Sequence, residues 1–211
     1  MNSGQICMST ERVIVQRSVA PALTEALRKH FSNMKAGGPG QILSALFTEA
    51  SARRFVDMLR DAVKGGAKVL VGDQKCDGGV VQPHIVTDVT MDMRIWSEET
   101  FAPSECRAIT DHAKGSPCII YTDVVILPVG SIDEAVTMAN QSDYSLMASV
   151  WTKNVYNAYE TAARIHSGGS KKSLLQSYSE HLIGSVNING PTIHTEMGMA
   201  GSGVGSLRGL G

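Results

Sequence analysis

Two short segments carry residue types that could do chemistry. The first is Asn2-Ser3-Gly4-Gln5-Ile6-Cys7, a polar, glycine-containing turn directly ahead of a β-branched run. A nucleophilic thiol needs this kind of setting: a loop, access to solvent, and backbone N–H groups nearby. The same residue in a core would be only a small apolar side chain, as most free cysteines are. The second is Ser97-Glu98-Glu99-Thr100-Phe101-Ala102-Pro103, where two adjacent carboxylates precede an aromatic ring and a proline. Such a group can hold a polar ligand against a ring face, or it can simply end a helix on an acidic turn and a proline stop. Cys106, His112 and Cys118 are evenly spaced, but their spacing matches no zinc module, and no metal is expected. Gly201-Ser202-Gly203-Val204-Gly205 follows no strand and opens no helix, so it is not a dinucleotide fingerprint. Gly168 to Ser173 lacks the spacing of a phosphate loop.

The elements that must position these residues alternate. Glu11 to Gln16 reads as a strand through Val13, Ile14 and Val15. Ser18 is placed to cap a helix through Lys35, with Leu23, Leu27 and Phe31 at helical spacing and Gly37-Gly38-Pro39-Gly40 stopping it. Thr48 to Lys64 forms a second helix that buries Ala52, Phe55, Val56, Leu59 and Val63, and Gly65-Gly66 ends it. Ala67 to Val71 is expected to be a short buried strand. Val80 to Val86 is extended and interrupted by Pro83. A strand over Val124 to Val129 leads into a helix opened by Ser131, Asp133 and Glu134, with acidic residues where the helix N-terminus favours them. Leu146 to Trp151, Asn154 to His166 and Val186 to Ile188 continue as strand, helix and strand. This alternation implies an α/β domain with a mostly parallel sheet flanked by helices.

Composition narrows the class. The 211 residues are 43% hydrophobic and 18% charged, with a net charge of -1. That is ordinary globular composition, without the basic stripe expected of a nucleic-acid or anionic-membrane binder. No apolar run approaches the roughly 18 residues of a membrane span. The N-terminus has neither the basic flank nor the apolar core of a signal peptide, and the four cysteines form no disulfide framework. The expected setting is cytoplasmic, where thiols stay reduced.

The four motifs of the chain resemble those of one family, the aldehyde dehydrogenases. NSGQICMS resembles the family's active-site cysteine segment. EETFAP resembles its E-E-x-F-G-P motif, with Ala102 where glycine is usual. Asn140 to Leu146 resembles N-x-x-x-Y-G-L, with Ser145 for glycine, and Asn187-Ile188-Asn189-Gly190-Pro191 resembles N-x-N-x-P. They occur in family order, and the resemblance covers about four-fifths of the chain. STERVIV and DYSLMASVWT look like members acting on aromatic aldehydes of the salicylaldehyde or vanillin type. The resemblance implies that the chain is a truncated aldehyde dehydrogenase catalytic domain whose family oxidises an aldehyde to a carboxylic acid with NAD or NADP. Cys7 would be the nucleophile, its own backbone N–H half of an oxyanion hole. Glu99 would bind the nicotinamide ribose hydroxyls, and Phe101 would pack near the nicotinamide.

The chain departs from the family in three ways. Members are more than twice this length, and the coenzyme-binding domain, the E-L-G-G general base and the asparagine that completes the oxyanion hole belong to a part that precedes the cysteine; none of those motifs occurs here. Members are homo-oligomers whose C-terminal tail supplies a strand to a partner, and MGMAGSGVGSLRGLG matches that tail poorly. Lastly, Ser104 to Asp123 and Gly169 to Gly184 interrupt otherwise continuous family sequence, and long structureless loops are uncommon in compact domains. They read as family-foreign insertions, such as translated introns, and are expected to add no central strand. A non-catalytic fragment without a coenzyme site and a residual cysteine-dependent esterase are the rival readings.

Overall fold

A computed structural model describes residues 2–102, 123–141, 145–166 and 185–192. In chain order its elements are β1 (Arg12–Gln16), α1 (Ala20–Phe31), α2 (Glu49–Lys64), β2 (Lys68–Val71), β3 (Cys76–Asp77), β4 (Val80–Val81), β5 (His84–Thr87), α3 (Arg94–Ser97), β6 (Asp123–Val129), α4 (Ile132–Ala139), β7 (Met147–Val150), α5 (Val155–Arg164) and β8 (Ser185–Ile188). Residues 103–122 and 167–184, which hold nearly all of the two family-foreign segments, lie outside the described residues. Asp123, the last residue of the first segment, opens β6 and pairs with His84.

The main sheet has the order β1-β6-β5-β2. β6 runs parallel to β1 on one side, Arg12 opposite Val125 through Gln16 opposite Val129, and parallel to β5 on the other. β2 joins β5 antiparallel, with a bulge between Val69 and Val71. β7 and β8 form a separate parallel pair. The α/β, mostly parallel architecture follows from apolar residues on both faces of the central strands. Val13, Val15, Ile85 and Ile126 pack against Leu23, Leu27 and Phe31 of α1. Val86, Val125 and Leu127 pack on the opposite face against Phe55 and Leu59 of α2 and against Trp96. Each such side chain contributes about 1.5–3 kcal/mol of burial. Pro128 sits in β6 beyond the four residues that pair with β5, where its missing N–H breaks no ladder on that side.

Local chemistry sets the helix ends. Thr48 Oγ1 accepts the Ser51 N–H at 3.0 Å. Ser131 and Glu134 cap reciprocally: Ser131 Oγ accepts the Glu134 N–H at 3.1 Å, and the Glu134 carboxylate accepts the Gly130 N–H at 2.7 Å. Four sequence expectations are corrected. Val19, not Ser18, is the N-cap of α1, and Pro21 occupies its first turn. That helix ends at Phe31 rather than Lys35, because Ser32 Oγ and the Asn33 amide bond back to the Arg28 and Lys29 carbonyls, each at 2.8 Å. On α2, Met58 and Ala62 join the buried face in place of Val63, which is only half-buried. β2 is a sheet edge with Lys68 and Leu70 facing solvent, not a buried strand.

His84 is fully buried in β5. Its Nε2 accepts the Gln74 N–H at 3.1 Å, and its ring meets Phe55 edge-on at 5.5 Å. Gly72, at φ +109°, leaves room for it: a Cβ there would stand 2.0 Å from His84 Cδ2. Burial pushes the imidazole down to about 4 from its ordinary 6.5. The unfolded chain therefore takes up a proton that the folded one refuses between those values. This contribution to stability is complete above 6.5 and is lost as pH falls toward 4, a loss of about 3 kcal/mol. Urea unfolding across that window should show the loss in the wild type and not in His84→Gln. Gly72→Ala, with a positive φ and a clash against the ring, should cost about 3 kcal/mol by the same measurement.

Candidate active site

Cys7 lies in a turn closed by the Ser9 N–H donating to the Ile6 carbonyl at 2.8 Å, and its side chain is exposed. The surrounding loop is pinned through its neighbours. Ser3, in left-handed backbone (φ 51°, ψ 44°) and 1% exposed, donates Oγ to the Ser44 carbonyl at 2.8 Å. Gln5 accepts the Phe47 N–H at 2.7 Å and donates to the Ala45 carbonyl at 3.4 Å. The Thr10 hydroxyl meets that of Thr192 at 2.7 Å, joining the cysteine loop to the far end of the described chain.

The acidic segment leaves α3 in extended backbone. Glu98 pairs with Arg94 at 2.9 Å and with Arg54 of α2 at 3.1 Å, and these cations hold its carboxyl below the ordinary range, the Arg94 hydrogen bond first. Arg54 also donates to the Glu99 carbonyl at 3.1 Å. From the opposite side, the Glu11 carboxylate accepts the Thr100 hydroxyl at 2.7 Å, the Thr100 N–H at 3.1 Å and the Phe101 N–H at 3.2 Å. Glu99 itself is half-buried. Burial, and then the neighbouring Glu11 charge, raise its carboxyl above the ordinary value, with Arg54 partly offsetting them.

Cys7 and Glu99 line one cavity of about 560 Å³. It is lined by β1 with Glu11 and Arg12, and by β7 with Pro191 and Thr192. The Arg12 guanidinium stacks over Trp96 at 5.2 Å, a cation–π contact. Phe101 is not part of the lining; it stands 44% exposed with φ 46°. Among the described residues no group of three or more His, Cys, Asp or Glu could hold a metal; Cys106, His112 and Cys118 lie outside them.

Sequence reasoning named Cys7 and Glu99 but missed what holds them. Glu11 and Arg54 were the unread residues. The available signal was an acidic residue heading a β-branched strand, since a partly buried carboxylate in such a place needs donors. The late asparagines also gain a physical role. The Asn189 side chain accepts the Thr152 N–H at 2.9 Å and donates to the Thr152 carbonyl at 3.0 Å. Asn187 donates to the Pro191 carbonyl at 2.7 Å. Together they fix the turn that presents Thr192 to the cysteine loop. Asn140 caps the end of α5, donating to the Arg164 carbonyl and accepting the His166 N–H, each at 2.8 Å.

A loop thiol and a half-buried carboxylate thus line one cavity beside the parallel strand β1 of an α/β unit. The chain belongs to the aldehyde dehydrogenase family, whose model matches residues 1–106 and 124–209. It is 32% identical over 208 residues to vanillin dehydrogenase of Pseudomonas sp. (strain HR199 / DSM 7063), an alignment covering 97% of this chain and 36% of that protein. Among solved structures it is similar to a salicylaldehyde dehydrogenase from Pseudomonas putida G7 complexed with salicylaldehyde, with a TM-score of 0.71 and 27% identity over 92% of this chain and 33% of that one. An NADP-dependent glyceraldehyde-3-phosphate dehydrogenase from Bacillus halodurans C-125 complexed with NADP gives a TM-score of 0.70 and 29% identity over 93% and 34%. The chain thus spans about a third of the length of the relatives it matches.

The raised Glu99 carboxyl has a measurable consequence. The folded state holds that proton more tightly than the unfolded state, so ionising Glu99 costs stability as pH rises above its ordinary 4.5. Glu99→Gln removes the cost. Thermal unfolding should show the variant more stable than the wild type at neutral pH, with the gap closing below pH 4.5. A variant that is equally or less stable at pH 7 would mean that Glu99 is not desolvated.

Proposed function

We propose that these residues form the thiol-bearing part of an NAD(P)-dependent aldehyde dehydrogenase that oxidises an aromatic aldehyde to its carboxylic acid. One observation carries the reading: Cys7 and Glu99, remote in sequence, line the same cavity. The vanillin and salicylaldehyde dehydrogenases among its relatives support the substrate class. The Cys7 sulfur, as thiolate, adds to the aldehyde carbon and gives a thiohemiacetal, while the Cys7 backbone N–H donates to the developing oxyanion. The bound coenzyme supplies a hydride acceptor. Loss of hydride leaves a thioester on Cys7, and water cleaves it to the acid and the free thiol. Glu99 fits the ribose end of such a coenzyme, as a half-buried carboxylate able to accept from two hydroxyls, and Phe101, outside the cavity lining, is the ring that would pack near the nicotinamide. Both described cysteines, Cys7 and Cys76, are free, which suits a reducing, cytoplasmic setting. No helix among the described residues is long and apolar enough to cross a membrane.

These residues hold the nucleophile but little of what binds a dinucleotide. One charge-assisted contact from Glu99 is worth about 1.5–3 kcal/mol, against about 8 kcal/mol for micromolar affinity. A general base for deacylation is typically worth about 10²–10⁴-fold, and none is assigned here. The 211-residue polypeptide alone should therefore reduce NAD(P)+ slowly or not at all, while its thiol keeps its affinity for aldehydes. Peptide mapping after iodoacetamide treatment tests this. Salicylaldehyde or vanillin should slow labelling of Cys7 severalfold and leave Cys76 unaffected. Equal labelling with and without aldehyde would refute the nucleophile assignment. Robust coenzyme reduction abolished by Cys7→Ala would refute the expected weakness. Release of p-nitrophenol from an activated ester, lost in Cys7→Ala, would mark the esterase reading.

We also propose that 104–123 and 169–184 are foreign to the family and derive from unspliced message. The family match passes over 107–123, which supports the first; it runs through 169–184, which lends the second no such support. Sequencing the mature transcript decides, and finding both segments in it would overturn the idea.

A further inference from the structure

We infer that Glu11 is a positioning residue of this site: its carboxylate grips the Thr100–Phe101 backbone and thereby sets the Glu99 carboxylate on the cavity wall that Cys7 shares. The inference rests on the coenzyme reading of Glu99 proposed above. Successive N–H groups of Thr100 and Phe101 point at one oxygen of Glu11, at 3.1 and 3.2 Å, and the Thr100 hydroxyl reaches the same oxygen at 2.7 Å. Consecutive backbone donors around a left-handed residue make an anion-binding nest. Here Phe101, at φ 46°, is that residue, and the anion is Glu11. Such a backbone conformation is unusual for a bulky side chain, so it persists because something external holds it.

The opposite edge of the same peptide run is held too. Arg54 donates to the Glu99 carbonyl at 3.1 Å and to the Thr100 carbonyl at 3.5 Å. An anion thus holds the N–H groups of this run and a cation its carbonyls, and Glu99 lines the cavity beside them. Glu11 is itself fixed, because its carbonyl accepts the Val125 N–H at 3.2 Å and extends the β1–β6 ladder by one residue. It also follows Cys7 closely on the same loop. One side chain therefore ties the thiol's loop to the proposed ribose-binding carboxylate across a sequence separation of 89 residues. The charged groups facing Glu99 are Glu11 from the cysteine loop and Arg54 from α2. Glu11 therefore acts on Glu99 in two ways, through the backbone and through its charge.

Three variants of the 211-residue chain separate these effects: Glu11→Ala, Glu11→Gln and Thr100→Val. Folding is checked by circular dichroism. Hydrogen exchange at the Thr100 and Phe101 amides reads the turn, NMR titration of carboxyl-labelled glutamate reads Glu99, and nicotinamide mononucleotide is the binding probe. Glu11→Ala should speed exchange at both amides by at least about tenfold and weaken nucleotide binding by a similar factor, as expected for losing bonds to a charged acceptor. Glu11→Gln keeps one acceptor oxygen; it should preserve slow exchange and binding yet lower the Glu99 titration midpoint, which a merely structural residue would not do. Thr100→Val should fall between the two. If Glu11→Ala fails to fold, the Glu99 shift in Glu11→Gln and the weakened binding of Thr100→Val decide. The inference is overturned if exchange is unchanged in Glu11→Ala, if the nucleotide binds equally once the turn is freed, or if the Glu99 midpoint does not move in Glu11→Gln. Glu99 alone allows only weak binding, with a Kd of roughly 10–100 mM, so a wild type that shows no saturable binding up to about 100 mM removes the coenzyme reading, and amide exchange and the Glu99 midpoint then decide the positioning role by themselves. A wild type that binds while Glu11→Ala binds equally removes the inference alone.

Discussion

The parallel pairing of β1 with β6 is the constraint on which the site depends. β6 bonds on both edges, and β1 carries at its N-terminal end the loop that presents Cys7. Side chains alternate across a strand, so a slip of one residue would exchange the two faces. Val13 and Val15 would leave the α1 cluster, and Ile14 would leave the α2 cluster. It would also carry Glu11 away from Thr100 and Phe101. The apolar core thus sets the register of the polar site. The ladder does not stop at Arg12, since the Val125 N–H bonds the Glu11 carbonyl beyond it.

Electrostatics at the acidic turn run against what the fold alone would choose. Two carboxylates, Glu11 and Glu99, share the cavity wall, and Glu99 is raised by burial and by its neighbour. Arg54 offsets only part of this. Glu98, one residue earlier, is fully answered by Arg94 and Arg54 and lies below its ordinary range. Adjacent glutamates therefore differ: Glu98 is paired with two cations, and Glu99 is half-buried beside a like charge. The proposed ribose-binding role would give that carboxylate two hydroxyl donors. Sites of function are where such local cost persists.

Much of this architecture was legible in the sequence. Periodicity located all five strands and four helices that were expected, because Phe55, Val56 and Leu59 or Val13 and Val15 mark a face without help from distant residues. Thr48 and Ser131 announced their caps for the same reason. What failed depended on partners. α1 was given too long a C-terminus because Ser32 and Asn33 are neutral in a pattern yet reclaim the carbonyls of the last turn. β2 read as buried because its apolar residues say nothing about which strand ends the sheet. At the site, Cys7 and Glu99 could be named from motifs. The bonds of Glu11 to Thr100 and Phe101 could not, since no local rule links residues 89 apart.

The residues around the thiol explain how the site keeps its shape apart from its chemistry. Ser3, Gln5, Glu11, Arg54 and Asn189 each bond backbone groups, Arg54 also pairs with the Glu98 carboxylate, and Thr10 meets the Thr192 hydroxyl. The loop that carries the thiol is held from three directions: by the 44–47 segment, by Thr192 and by the acidic turn. For the nucleophile role proposed for Cys7, a loop held through its neighbours leaves the sulfur free to change bonding without loosening the loop, which a mechanism passing through covalent intermediates requires. It also makes the thiol's placement depend on residues that never touch a substrate. Under the proposed mechanism, change at Glu11 or Asn189 would alter the alignment of thiol and coenzyme while leaving each chemically intact, and near-attack geometry tolerates reacting-atom separations of only about 3–3.5 Å.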